Sequence, residues 1–246
     1  MKHLDNGWWV PDNEIKITSH VADNEDQNNP TYEERVRSKI LENIKEFKTF
    51  IDVGANIGIW SYPFKDKFKK VISYEPSPRN LECLYKNMQG EGDIREYGLG
   101  NENTEAEFVD SDDNCGNAHI VNKKKKHSYT IRVKKLDDEN LESCSLIKID
   151  VQGYEWPVIQ GAMKTIEKFR PWVVFEPNQD VNEMISYFHN LRYHPILVKS
   201  KTCYIFAPEE TIEEDIVGLN AYQQKIDIIR TIISRQLPQN VWKTSN

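Results

Sequence analysis

The sequence predicts an α/β fold, with a mostly parallel sheet of seven strands covered by helices on both faces. Three observations predict it. Short apolar runs alternate with helical stretches. The runs FIDV, VISY, LIKI and WVVF are apolar nearly throughout, as strands buried on both faces are. The last two runs, HPILVKS and CYIFAP, flank a tight turn at residues 200–202 and so close the sheet as an antiparallel pair.

The elements follow in chain order. Residues 1–30 are polar, with a short strand expected over 14–18 and an Asn/Asp-rich loop after it. Residues 31–48 form a helix, with Thr31 as N-cap, Glu33 and Glu34 in its first turn, and Val36, Ile40, Ile44 and Phe47 on one face. Residues 49–54 form a buried strand ending in glycine. A helix over 56–68 follows, which tolerates Pro63 only near its first turns. Residues 71–75 are the second strand. Residues 78–88 form a helix capped by Ser77, with Pro78 at its first position, where a missing N–H costs nothing. Residues 93–97 are the third strand.

Residues 98–145 break the alternation. AEFVD and YTIRVKKL read as antiparallel strands around a polar loop carrying Lys123, Lys124, Lys125 and Lys126. The main pattern then resumes, with a strand over 145–151, a helix over 155–169, a strand over 171–176 and a helix over 180–190. The tail contains a helix with Ile226, Ile229, Ile233 and Leu237 on one side. The Trp8–Trp9 pair reads as packing against the body.

Composition bounds the function. The chain has 246 residues, 32 Lys and Arg against 39 Asp and Glu, and a net charge of −7. An acidic balance disfavours general nucleic-acid binding. The four cysteines are far apart, with no CxxC pair, which disfavours a zinc ribbon or a disulfide scaffold and fits a reducing compartment. The start lacks an apolar signal region, and no window approaches the ~18 apolar residues of a membrane span. A cytoplasmic location is the expectation.

Four signals carry chemistry. Asp52-Val53-Gly54-Ala55-Asn56-Ile57-Gly58 follows a strand and opens a helix, where glycines let backbone approach a ligand and helix N–H groups are free. It is GxxxG and not the GxGxxG of dinucleotide binding. Asp52 beside the turn suits a ligand with an ammonium group. Glu75 ends the next strand, 17 residues beyond Gly58, where an acid can accept ribose hydroxyls. Pro76 and Pro78 stiffen the turn that follows. Asp150 ends the strand expected beside the first one, across the topological switch point, and is a candidate base or positioning group. Glu155 opens the next helix, as a catalytic candidate or a helix-dipole partner. Glu176 closes a further strand on the same rim. The spacing of these acids matches no dedicated cation loop, so no metal is expected.

Taken together, FIDVGANIGIWS, ISYEPSPRN, LIKIDVQGYEWPVIQGA and RPWVVFE resemble the FkbM family of S-adenosylmethionine-dependent methyltransferases. The resemblance covers about residues 32–207. It implies a class I, Rossmann-like methyltransferase fold of seven strands with the last one antiparallel, and S-adenosylmethionine as cofactor. By position, it implies that the turn from Asp52 to Gly58 holds the methionine part of the cofactor and Glu75 the ribose. The segment after the third strand would lie near adenine, with Leu99 on the ring. Asp150 would approach the transferred methyl. The cofactor set is then Asp52, Gly54, Ala55, Asn56, Gly58, Glu75, Pro76, Leu99 and Asp150. The catalytic set is Asp150, Glu155 and Glu176. Where the family commonly has DVEG, this chain has Gln152 in the acidic place, so one carboxylate is missing from the rim.

The expected organisation is a substrate-side extension over 1–30, a methyltransferase domain over 31–208 with a β-rich insertion or lid over 102–145, and a helical extension over 209–246 that offers a homodimer surface. The expected reaction is O-methylation of a hydroxyl on a sugar or other small-molecule acceptor. Two other readings compete. One is an NAD-dependent oxidoreductase, against which the missing GxGxxG and Tyr-xxx-Lys count. The other is a non-catalytic binding module.

Overall fold

A computed structural model of the chain describes residues 1–22, 33–111, 114–121, 123–176, 180–196 and 203–212. The expected C-terminal helix, Thr31 and the turn at 200–202 lie outside the described residues. The chain opens with a small ribbon, β1 (Lys2–His3) and β2 (Trp9–Val10), followed by α1 (Lys16–Ala22) and α2 (Glu34–Asn43). Next come β3 (Thr49–Val53), α3 (Ser61–Phe64), β4 (Lys70–Tyr74), α4 (Pro78–Met88) and β5 (Asp93–Arg95). The insertion carries β6 (Gly98–Leu99), β7 (Thr104–Val109), β8 (His119–Val121) and β9 (Tyr129–Lys134). The remaining elements are β10 (Leu146–Ile149), α5 (Glu155–Gln160), α6 (Met163–Phe169), β11 (Trp172–Phe175), α7 (Val181–Asn190), β12 (Tyr193–Ile196) and β13 (Tyr204–Pro208).

The main sheet has seven strands in the order β12-β13-β11-β10-β3-β4-β5. Strands β5, β4, β3, β10 and β11 are joined by parallel ladders. β13 runs antiparallel to both of its neighbours, β11 and β12. The first strand, β3, therefore lies between β4 and β10, where the connection order reverses, and ligand clefts of open α/β sheets form at that point.

Strand side chains alternate between faces. Phe50, Val71, Leu146, Trp172 and Val174 pack with the N-terminal segment, α2, α3 and α4. Ile51, Ile72, Ile147, Ile149, Val173 and Phe175 pack with α5, α6 and α7. The same two-residue period places Asp52, Ser73, Glu75, Lys148, Asp150 and Glu176 on the first of these faces.

Several local expectations are corrected. Residues 14–18 are not a strand, because Glu14 accepts the Ile17 N–H at 2.7 Å and so caps a helix. Ile17 and Val21, one turn apart, are both buried. The helix expected over 31–48 is shorter and starts after Glu33, which is left-handed at φ 54°. The helix expected over 56–68 shrinks to α3, since positive φ at Asn56 and Gly58 keeps the preceding turn open. The helix expected over 155–169 divides into α5 and α6 at Gly161. There the Gly100 carbonyl lies so close that a Cβ would be 1.8 Å from its oxygen.

The insertion is a second sheet of four strands, in the order β6-β9-β7-β8. The antiparallel pair expected from AEFVD and YTIRVKKL is β7 with β9. Its small apolar core is Phe108, Ile131 and Val133. The N-terminal segment is docked on the body. Trp8 is fully buried, and Asn87 of α4 exchanges hydrogen bonds with Trp9 N and O at 2.8 and 2.9 Å. No described helix is long and apolar enough to cross a membrane. None of the four cysteines is in a disulfide.

Candidate functional site

A cleft with about 600 Å³ of atom-free space, open solvent at its mouth included, runs along the C-terminal ends of β3, β4 and β10. Its floor is the glycine turn. Gly54 has φ +76°, and a Cβ there would sit 2.0 Å from the Asp150 carbonyl oxygen. Glycine at 54 is therefore required for β3 and β10 to meet. The Gly54 and Ala55 N–H groups both donate to the Tyr74 carbonyl at 3.0 Å, tying the turn to β4.

Glu75 forms one wall and is 3% exposed. Its Oε2 accepts the Asn56 N–H and its Oε1 the Ser77 N–H, both at 2.8 Å. Burial outweighs these bonds and pushes its carboxyl up to about 7. A carboxylate has about four acceptor positions. The two backbone N–H groups and the Asn80 side chain use three of them, so a place is left for a ligand hydroxyl. Pro76 and Leu99 also line the cleft, and Phe108, Ile120 and Ile131 of the inserted sheet face them. The insertion thus walls the end of the cleft near Glu75 and Leu99. Cys115 joins this wall. Its Sγ donates to Asn56 Oδ1 at 3.1 Å, and its backbone N–H donates to Glu14.

Asp150 lies at the other end, with its side chain 19% exposed. Gln152 Nε2 donates to its Oδ1 at 2.7 Å and Lys148 Nζ to its Oδ2 at 3.4 Å. Gln152, in the place where the resembled family has an acid, therefore serves to hold Asp150.

The structure brings Gly54, Asn56, Glu75, Pro76, Leu99 and Asp150 together around one cleft. The other sequence candidates stand apart from its wall. Ala55 and Gly58 shape the turn from beneath. Asp52 is fully buried and accepts from Ser61 Oγ at 2.6 Å, and Ser61 shares a hydrogen bond with Ser73 at 2.7 Å. Burial raises its carboxyl against the opposing pull of Lys148 and Ser61. Glu155 is 1% exposed and turned onto backbone, accepting from Gly153 N–H at 3.0 Å and Val151 N–H at 3.3 Å. It braces the turn after β10. Glu176 is off the wall but near Asp150 in charge. Burial first, then the neighbouring Asp150 and Glu33 charges, push it up to about 7.

Lys148, Asn80, Cys115 and Tyr154 were not singled out from sequence. A lone lysine inside the apolar run LIKI was a visible signal for the first. Tyr154 comes with the turn after β10, four residues beyond Asp150, and Asn80 and Cys115 are brought to the cleft by contacts distant in sequence. Among the described residues, no group of three or more His, Cys, Asp or Glu is placed to hold a metal ion.

Comparisons with known proteins bear on this cleft. A relative, Methyltransferase 1 of Beauveria bassiana (strain ARSEF 2860), is 24% identical across 45% of this chain and 57% of its own length. The chain thus spans little more than half of that curated relative. The crystal structure of a methyltransferase FkbM from Methylobacillus flagellatus KT is similar at TM-score 0.46 and 22% identity, covering 66% of this chain and 45% of that one. A ribosomal protein L11 methylase from Lactobacillus delbrueckii subsp. bulgaricus is similar at TM-score 0.43 and 11% identity, covering 71% and 75%. The model of the methyltransferase FkbM domain matches residues 52–195, more than half of the chain and every residue that lines the cleft, and the chain belongs to that family.

Proposed function

We propose that the protein is an S-adenosylmethionine-dependent methyltransferase acting on a hydroxyl of a sugar or other small metabolite. The observation that carries the reading is Glu75. It is a buried carboxylate with an acceptor position to spare, between a glycine turn and an apolar wall. These residues fit the cofactor. Glu75 would accept a hydroxyl of its ribose, Leu99 with Phe108 and Ile131 would flank its adenine, and Gly54, Asn56 and Asp150 would line its methionine end. The donor supplies a methyl group on a sulfonium, already a good electrophile.

The chain's task is then placement and proton removal. Asp150 is the rim carboxylate that meets solvent from inside the cleft, and it would orient the acceptor hydroxyl. Glu176, at the end of β11 on the same sheet face and raised towards neutrality, would take the proton from an acceptor that extends past Asp150. Glu155, turned onto backbone, is assigned no such step.

Calorimetry with S-adenosylhomocysteine tests the reading. Binding that is weakened at least about tenfold by Glu75→Ala supports it, the loss expected of one charged hydrogen-bonding partner. Thermal stabilisation by NAD and not by S-adenosylhomocysteine would point to the oxidoreductase reading. Binding of neither would leave a non-catalytic module. Incorporation of labelled methyl into a panel of sugars and hydroxylated metabolites tests the acceptor class.

A further inference from the structure

Lys148 stands in β10 directly opposite Asp52 of β3. Its side chain is 8% exposed. Its Nζ donates to the Gly54 carbonyl and to Asp150 Oδ2, each at 3.4 Å, and lies 3.8 Å from Asp52 Oδ1. One buried ammonium thus spans the strand interior, the glycine turn and the rim acid.

Stability alone is a poor reason for a lysine here. Burying a charge is costly, and exchanging a buried ion pair for apolar side chains of similar volume is often neutral or stabilising. The distances are also longer than the ~2.7–2.9 Å of a dedicated charge-assisted bond. Lys148 reaches three oxygens at once, in β3, in the glycine turn and on the rim. Two of the three belong to the cleft. Asp150 is held by Gln152 on one oxygen and by Lys148 on the other, and the Gly54 carbonyl is in the turn that forms the floor.

We propose that Lys148 is a positioning residue for this cleft. It fixes the Asp150 carboxylate and the Gly54 carbonyl relative to each other, and its charge allows Asp52 and Asp150 to face one buried point. The inference rests on the cofactor reading above.

The test is a double-mutant cycle on the full chain, read by calorimetry with S-adenosylhomocysteine and by thermal melting. Lys148→Met keeps the packing volume but leaves Asp52 without its buried ammonium, so melting should fall, and the folded fraction should bind roughly tenfold or more weakly. Lys148→Arg, which keeps the charge, should recover part of the loss. In an Asp150→Asn background, Lys148→Met should cost less than about threefold, because contacting residues are non-additive. Wild-type affinity in Lys148→Met, or the same loss with and without Asp150, would overturn the proposal. Should Lys148→Met fail to fold, Lys148→Gln carries the same comparison. A wild-type protein that binds no S-adenosylhomocysteine would overturn the cofactor reading, and this inference with it. Tight wild-type binding with an indifferent Lys148 would overturn the inference alone.

Discussion

The Asn56 N–H donates to Glu75 Oε2 at 2.8 Å, so the glycine turn after β3 and the acid ending β4 are one mechanical unit. The second Glu75 oxygen accepts from Ser77, the N-cap of α4. Moving Glu75 would therefore disturb the turn, the cap and the cleft wall together.

Proton linkage follows from burial. Glu75 and Glu176 are both raised to about 7 in the folded chain, above the ordinary carboxylate value of 4.5. The folded state holds these protons more tightly than the unfolded state. The stability they contribute is fully present below about pH 4.5 and is lost as pH rises through about 7. Melting temperature should fall between about pH 5 and pH 8, and Glu176→Gln, which mimics the protonated form, should flatten that slope. Cofactor affinity should move the other way. An ionised Glu75 is the stronger acceptor, so S-adenosylhomocysteine should bind several-fold tighter at about pH 8 than at about pH 6. Calorimetry across that range checks the sign, and a flat profile would remove Glu75 from the ribose role.

Gly54→Ala should be among the most damaging single changes. The added Cβ would meet backbone, the Asp150 carbonyl, at 2.0 Å, at a φ of +76°. Backbone in a strand pair cannot step aside as a side chain can. A loss of roughly 2–4 kcal/mol is expected from strain and overpacking together. Chemical denaturation measures it. A near-wild-type midpoint would mean that the turn adopts another shape.

The sheet was legible because its strands are buried on both faces and so read as unbroken apolar runs. The helix α4 matched its expected bounds at 78–88, where Ser77 and Pro78 act locally as cap and first residue. What escaped depends on distant partners. Gly98–Leu99 and His119–Val121 are too short to show periodicity and exist as strands only through pairing with β9 and β7. Asp52 shows the same limit at the site. Strand alternation gives its face, but only the placement of Ser61 shows that a helix covers it.

That covering sets a prediction for Asp52. Removing a carboxylate from beneath α3 leaves Ser61 and Lys148 short of a partner. Asp52→Ala should cost about 3 kcal/mol, as breaking a buried pair does, and Asp52→Asn should cost less. Because Asp52 is not on the cleft wall, the folded fraction of Asp52→Asn should bind S-adenosylhomocysteine more tightly than Glu75→Ala does. Denaturation and calorimetry on the same samples separate the two effects. A stable Asp52→Asn that has lost binding would return Asp52 to the cleft.

Glu155 and Asp150 differ in the same way, although both follow β10. Glu155 accepts backbone N–H groups from Val151 and Gly153, bridging a turn in which Gln152 and Gly153 both have positive φ. Burial raises its carboxyl, and those N–H groups oppose the shift. Its role resembles a helix cap. Glu155→Ala should lower stability by about 1–2 kcal/mol. Binding by the folded fraction should then change by less than about threefold, since no cleft atom is removed. Asp150→Asn should do the reverse. It leaves the turn intact and the melting temperature near wild type, but it lowers methyl transfer to any accepted hydroxyl, because the group that meets the acceptor has lost its charge. If Glu155→Ala melted like wild type while turnover collapsed, the turn-bracing role would be wrong and Glu155 would join the acids that handle the acceptor.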